Sequence, residues 1–217
     1  MLKKLLLPFA LGASLFFGAC ATNVQNTSHT FNTVVIDPGH GGHDSGTRSR
    51  SGLAEKDAAL AVAGHLEARL RAAGFHTVMT RDSDVFIPLD TRAQISNSQR
   101  NAIFVSVHFN DARSRSAHGI EVHYKSTYAR DIAQRIEGRL DSMSSDRGIH
   151  TANFAVLRKN RFPAVLVECG FLSNASEAKR CANDGYRDQI AEKIAEAIIE
   201  QRYGAGSRRE EELIARQ

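Results

Sequence analysis

Thr33-Val-Val-Ile-Asp37, running into Pro38-Gly39-His40, is the stretch that decides the fold. Four β-branched residues in succession favour a strand, and Pro-Gly stops it. Downstream, Ala59, Val62, Ala63, Leu66, Leu70 and Ala73 recur at helical spacing, which predicts a helix from Glu55 to Ala73 closed by Gly74. The alternation then repeats. Strands are expected over 76–80, 102–107, 119–124, 154–157 and 164–167. Helices are expected over 89–100, along the stripe Tyr128, Ile132, Ile136 and Leu140, and along Ile190, Ile194, Ala197, Ile198 and Gln201. Strands interleaved with helices imply an α/β fold with a mostly parallel sheet. The near-continuous apolar runs at 102–107 and 164–167 suit a sheet covered on both faces.

Polar residues fall where such a sheet keeps its chemistry. His40 lies just past the first strand, His108 follows Val107, and Glu168 follows Val167. Open α/β sheets bind ligands outside the carboxyl ends of their strands. Glu55 falls on the buried stripe of its helix and there needs a partner or the helix dipole. Two His and one Glu suffice to hold zinc with a position left for water, and a second Glu can take that water's proton. The set reads as metal-assisted hydrolysis of an amide or ester. For each residue alone, an ordinary surface or hydrogen-bonding role is equally available.

Composition narrows the alternatives. The chain has 217 residues, with 42% hydrophobic and 24% charged. That length fits one domain with a real core. Three cysteines are too few for a disulfide scaffold. No apolar run after residue 20 is long enough for a membrane helix. Lys3 and Lys4 supply part of the net charge of +4, so no nucleic-acid partner is expected.

Residues 1–20 read as an address. Lys3 and Lys4 precede an apolar run from Leu5 to Phe17, and Gly18-Ala19 precede Cys20. The ending Phe17-Gly-Ala-Cys20 resembles a bacterial lipobox in which Cys20 is lipidated. A plain signal peptide cut near Ala19 or Ala21 is the other reading. Residues 21–31 are polar and aperiodic and are expected to tether the domain, reaching at most about 38 Å. No Asp follows Cys20. By resemblance to lipoprotein sorting rules, the expected location is therefore the cell envelope, lipid-anchored to the outer membrane and facing the periplasm. Residues 205–217 are expected as a charged tail, leaving 32–204 as the catalytic domain.

Five motifs carry a family resemblance. Val34-Val-Ile-Asp-Pro-Gly-His-Gly-Gly42 with Asp44-Ser-Gly46, Gly52-Leu-Ala-Glu-Lys-Asp57, Ser106-Val-His-Phe-Asn110, Asn153-Phe-Ala-Val-Leu-Arg158 and Pro163-Ala-Val-Leu-Val-Glu-Cys-Gly-Phe-Leu-Ser-Asn174 occur in order, with Thr80-Arg-Asp82 between. Over residues 33–203 the chain resembles zinc-dependent N-acetylmuramoyl-L-alanine amidases, which cut the amide between the lactyl group of muramic acid and L-alanine in peptidoglycan. The resemblance implies a mixed, mostly parallel six-stranded sheet with helices on both faces. It implies one zinc ion held by His40, Glu55 and His108, with Glu168 as the general base that activates zinc-bound water. Asn110, Arg147, Asn153 and Arg158 fall in family-like stretches and are candidates for substrate binding.

Some members of that family carry a helical plug after the strand matching 119–124, removed by an activator protein. Here only Lys125-Ser-Thr127 intervenes, so an open site that needs no activator is expected. Cys169 and Cys181 are either buried thiols or a disulfide. His43 is not expected as a ligand, since a fourth protein group would close the site to water. A zinc peptidase acting on stem peptides and a wall-binding lipoprotein with a degenerate site are the competing readings.

Overall fold

The computed structural model describes residues 23–207. The stretch read as a lipobox, with Cys20, and the segment 208–217 lie outside the described residues. The strands are β1 (Thr33–Pro38), β2 (His76–Met79), β3 (Ala102–Asn110), β4 (Ile120–Tyr124), β5 (Asp146–Thr151) and β6 (Ala164–Phe171). The helices are α1 (Glu55–Ala72), α2 (Leu89–Asn97), α3 (Arg130–Leu140), α4 (Ala155–Arg158), α5 (Ala175–Cys181) and α6 (Asp184–Tyr203). The six strands form one sheet in the order β2-β1-β3-β6-β4-β5. β2, β1, β3 and β6 run parallel, whereas β4 is antiparallel to β6 and carries β5 parallel to itself. The sheet is therefore mixed and mostly parallel, as expected.

Alternation along the strands feeds two cores. Val34, Ile36, Val105, Val107 and Val167 point to the thick side, against α1, α3 and α6. Val35, Phe104, Ala164 and Leu166 point to a thinner layer with Val156 and Leu157 of α4. Ser106 and His108 continue the Phe104 side of β3, and Glu168 continues the Leu166 side of β6. His108 and Glu168 are register partners across that parallel pair. They consequently emerge side by side where the thin layer stops.

Several expectations change. The stretch 154–157 is not a strand. It is a single helical turn whose Val156 and Leu157 pack under the sheet; a short apolar run does not distinguish the two. β5 went unread because Asp-Arg-Gly-Ile-His-Thr is a polar edge strand with no apolar alternation. α5 is a short helix whose start is fixed by the Asn174 side chain, which accepts from the Ser176 and Glu177 amides. β3 and β6 run on to Asn110 and Phe171, so His108 and Glu168 sit inside strands rather than just past them.

Part of the stretch expected as a 21–31 tether is folded. Phe31 is buried and stacks on Phe75 with ring centroids 5.7 Å apart. The Gln25 amide donates to Arg161 O at 2.7 Å, and Thr27 Oγ1 donates to Ala102 O at 2.5 Å. Residues 25–31 thus line the amino edge of the sheet and are part of the fold. Cys169 and Cys181 are both buried free thiols, not a disulfide. Burial pushes the Cys181 thiol up to about 12 and Cys169 well above its usual range. A thiol-reactive dye should therefore modify neither residue in the folded protein and both after denaturation. Rapid labelling of the native state is the contrary result.

Candidate active site

His40, Glu55 and His108 come together although they arrive from a loop, a helix start and a strand. Glu55 is the first residue of α1 and is buried. Its Oε1 lies 2.9 Å from His108 Nδ1 and 3.1 Å from His40 Nε2. The Phe109 amide donates to the same oxygen at 3.1 Å, and the Thr47 amide donates to Oε2 at 3.0 Å. Burial alone would raise the Glu55 carboxyl, but the two imidazoles outweigh it and hold the group well below the usual carboxylate range. The same pairing raises His40 above 6.5, with Asp44 adding to Glu55 against the opposing effect of burial.

The loop carrying His40 is strained and heavily braced. His40 has φ +58°, a region few non-glycine residues occupy. Arg92 Nη2 donates to its carbonyl at 2.5 Å. Arg92 Nη1 also reaches Pro38 O and Asp37 Oδ1, the latter at 2.8 Å. Arg81 holds Pro38 O through Nε and Gly39 O through Nη2, at 3.1 and 2.7 Å. A Cβ at Gly39 would stand 2.3 Å from the His108 ring, so only glycine lets the loop and the imidazole pack together. Gly46 is equally constrained, because a Cβ there would meet Glu55 Oε2 at 2.5 Å.

Asp44 belongs to the first motif, and sequence alone assigns it no role. Its Oδ2 lies 2.9 Å from His40 Nδ1, which turns Nε2 toward Glu55. An acid four residues past a candidate ligand was the available signal. Carboxylates that orient a ligating histidine typically account for about 10–100-fold in metal affinity. Asp44→Ala should weaken zinc binding by roughly that factor in competition with a chromophoric chelator. Unchanged affinity would mean that the braced loop alone orients His40.

The donor set fits a divalent metal. Its three ligand atoms lie within 4.8 Å of one another. Ligands at about 2.0–2.1 Å from a tetrahedral zinc stand roughly 3.4 Å apart, close to the contacts seen here. Glu168 is outside that cluster. Its Oε2 is buried without a hydrogen-bond partner among the described residues, and burial raises the carboxyl to about 7. A buried carboxylate oxygen without a partner and a carboxyl raised by burial are the marks of a functional-site candidate.

These groups open into a cleft of about 320 Å³. His40, Glu55, His108, Asn110 and Glu168 line it, with Leu89 and Phe154 at its rim. Asn110 therefore belongs to the cleft. Arg147 does not line it. Its Nε donates to Glu121 Oε1 at 2.5 Å and its guanidinium stacks on Phe171 at 5.0 Å, in a neighbouring groove. Asn153 and Arg158 are not in the cleft either: Arg158 Nη1 folds back on Asn153 O at 2.8 Å. His43 packs at a tilt against Phe86 and takes no part in the cluster. Between Tyr124 and the turn beginning at Thr127 there is no room for a helical insertion.

Fold and site together define an α/β protein with a two-histidine, one-glutamate cluster and a buried carboxylate at the carboxyl edge of a mixed sheet. The chain belongs to the N-acetylmuramoyl-L-alanine amidase family, whose sequence profile matches residues 34–200. The amidase LytC of Bacillus subtilis is 35% identical over 173 residues, 77% of this chain and 35% of LytC. AmiC of Neisseria meningitidis is 32% identical, the match covering 78% of this chain and 52% of AmiC. The chain thus spans about a third to a half of the length of these relatives. The catalytic domain of CwlV from Bacillus (Paenibacillus) polymyxa superposes with a TM-score of 0.76 at 34% identity, covering 78% of this chain and 97% of that domain.

Proposed function

We propose that the chain is a zinc-dependent N-acetylmuramoyl-L-alanine amidase that hydrolyses the amide between muramic acid and L-alanine in peptidoglycan. The observation that carries this reading is the convergence of His40 Nε2 and His108 Nδ1 on Glu55 Oε1, with Glu168 buried beside them. His40, Glu55 and His108 would hold the zinc. The bound ion supplies a Lewis acid for the amide carbonyl and lowers the pKa of water. Glu168 accepts the proton of the attacking water. The same carboxylic acid then protonates the leaving L-alanine nitrogen, so one group serves as base and acid in turn. Asp44 keeps His40 oriented, and Arg81 and Arg92 hold the loop that presents it.

Digesting purified peptidoglycan and reading the products by mass spectrometry tests this. Peptides with free N-terminal L-alanine should appear, vanish with a chelator and return with zinc. Cleavage of peptide cross-links alone would instead mark a peptidase. Because His40 must shed a proton to bind the metal, zinc affinity should fall as pH drops through a value above 6.5.

In this reading Cys20 carries the lipid, the site faces the periplasm from the outer membrane, and no activator is needed. The short β4–α3 connection supports the last point. Replacing Cys20 with Ala should move the protein out of the membrane fraction, and strong stimulation by an activator would refute constitutive competence.

A further inference from the structure

Two copies of Arg-Ser-Arg-Ser occur in the chain, at 48–51 and 113–116. Far apart in sequence, they meet in space at Ser173. The Ala112 amide donates to Ser173 Oγ at 3.0 Å, and Arg115 Nη1 reaches Ser173 O at 3.4 Å. Ser173 in turn lines a shallow cavity of about 490 Å³ together with Arg50, Ser51 and Lys179. Leu172, Ala175, Ala178 and Ala182 form its apolar floor. Arg48, Arg50, Arg113, Arg115 and Lys179 are all exposed. Among the described residues none of the five makes an ion pair. Of the acids in the two loops, Asp44 is engaged with His40 and Asp111 lies two residues before Arg113. Glu177, beneath them, is buried and already bonded to Gly119, Phe171, Ser144 and Arg180.

The shelf is continuous with the catalytic cleft. Thr47, next to Arg48, and Asp111, two residues before Arg113, both line that cleft. The chain before Gln25 meets the fold at the opposite edge, where Gln25 and Thr27 bond to Arg161 and Ala102. β3 has nine residues, so the two edges stand about 30 Å apart. Any attachment through residues before Gln25 therefore holds the domain by the edge away from the shelf, which then faces outward.

We propose that the paired arginine tetrads form a docking shelf for carboxylate-bearing stem peptides of the wall adjacent to the amide in the cleft. This rests on the amidase reading, because it takes the cleft's ligand to be a peptide-bearing glycan. Unpaired cations with no acid between them attract carboxylates and raise their local concentration. The small apolar floor accommodates peptide side chains between those charges. Docking holds the enzyme on an insoluble polymer while the cleft samples successive amides.

The test uses the full zinc-loaded chain in detergent, with Glu168→Gln to prevent digestion, pelleted with insoluble peptidoglycan. Replacing Arg48, Arg50, Arg113 and Arg115 together by Gln should weaken pelleting roughly tenfold, and raised salt should do the same to the parent. Converting the wall's carboxylates to carboxamides should abolish the difference between the two chains. With Glu168 restored, the fourfold variant should cleave a small soluble muramoyl peptide as the parent does. Equal pelleting of parent and variant overturns the proposal, as does equal binding of amidated wall. Loss of small-substrate turnover in a folded fourfold variant also overturns it, by making the arginines part of the cleft. Charge-dependent pelleting by a parent that cuts no muramoyl amide would leave the shelf standing and remove the amidase reading.

Discussion

With zinc held by His40, Glu55 and His108 as proposed, Glu168→Gln should bind the ion as the parent does and lose about 10²–10⁴-fold in kcat on a muramoyl peptide, the range for removing a general acid–base group. Glutamine is nearly isosteric, so the thin-layer packing around Leu166 and Val156 is undisturbed. Its amide cannot accept the proton of water. Zinc affinity is expected to hold because Glu168 is not among the atoms converging on Glu55 Oε1. The variant should also be more stable than the parent in the metal-free state. Burial lifts the Glu168 carboxyl from 4.5 to about 7, so the folded protein binds its proton more tightly than the unfolded chain. Stability from this group is therefore present below about 4.5 and is lost as pH rises to about 7. Gln removes that dependence. Bound zinc, a nearby positive charge, would pull the carboxyl back down and make it an effective base at neutral pH. Denaturation against pH, metal-free, together with chelator competition and kcat, separates these effects. Activity within about fivefold of the parent would assign the base elsewhere, since general acid–base groups contribute far more than that.

The legible part of this protein was the part written in apolar periodicity. β1, α1, β3, β6 and α6 are carried by runs or stripes that bury completely, and they position His40, Glu55, His108 and Glu168. β5 escaped because an edge strand pairing on one side needs no apolar alternation, only a neighbour in β4. The helical turn at α4 was read as a strand because Phe-Ala-Val-Leu fits either period over so short a run. Residues 25–31 looked like tether because most of them are polar; their burial comes from backbone bonds, the Thr27 hydroxyl and the ring of Phe31. Site residues offered as substrate contacts by their place in a motif divided on geometry, Asn110 falling in the cleft and Arg158 turning away from it. What sequence could not supply was the bracing. Nothing in the period of α2 marks Arg92 as different from a surface arginine, yet it is among the largest fully buried side chains.

Arg92→Met should be strongly destabilising. Arg92 and Asp37 are almost wholly buried, at 2% and 1% exposure. The guanidinium serves Asp37 Oδ1 and the carbonyls of Pro38, His40 and Ile87, while Thr80 and Ser106 hydroxyls complete the Asp37 carboxylate. Removing one member of a buried ion pair leaves the other uncompensated, which typically costs about 3–5 kcal/mol. Methionine fills the volume, so the loss measures charge and hydrogen bonding rather than a cavity. Arg92→Lys should recover only part of it, because an ammonium cannot reproduce the fork that spans Asp37, Pro38 and His40. Pairing Arg92→Met with Asp37→Asn should cost less than the sum of the two, since the second change removes the stranded charge. The consequence reaches the site through one atom. With the His40 carbonyl released, the strained φ of that residue has lost its main brace, and zinc affinity should fall alongside stability even though Arg92 touches no candidate ligand side chain. Urea denaturation and chelator competition on the same variants test both halves. A loss under about 1 kcal/mol would mean that Thr80, Ser106 and Arg81 hold the loop without Arg92, because buried pairs that matter cost several times more to break.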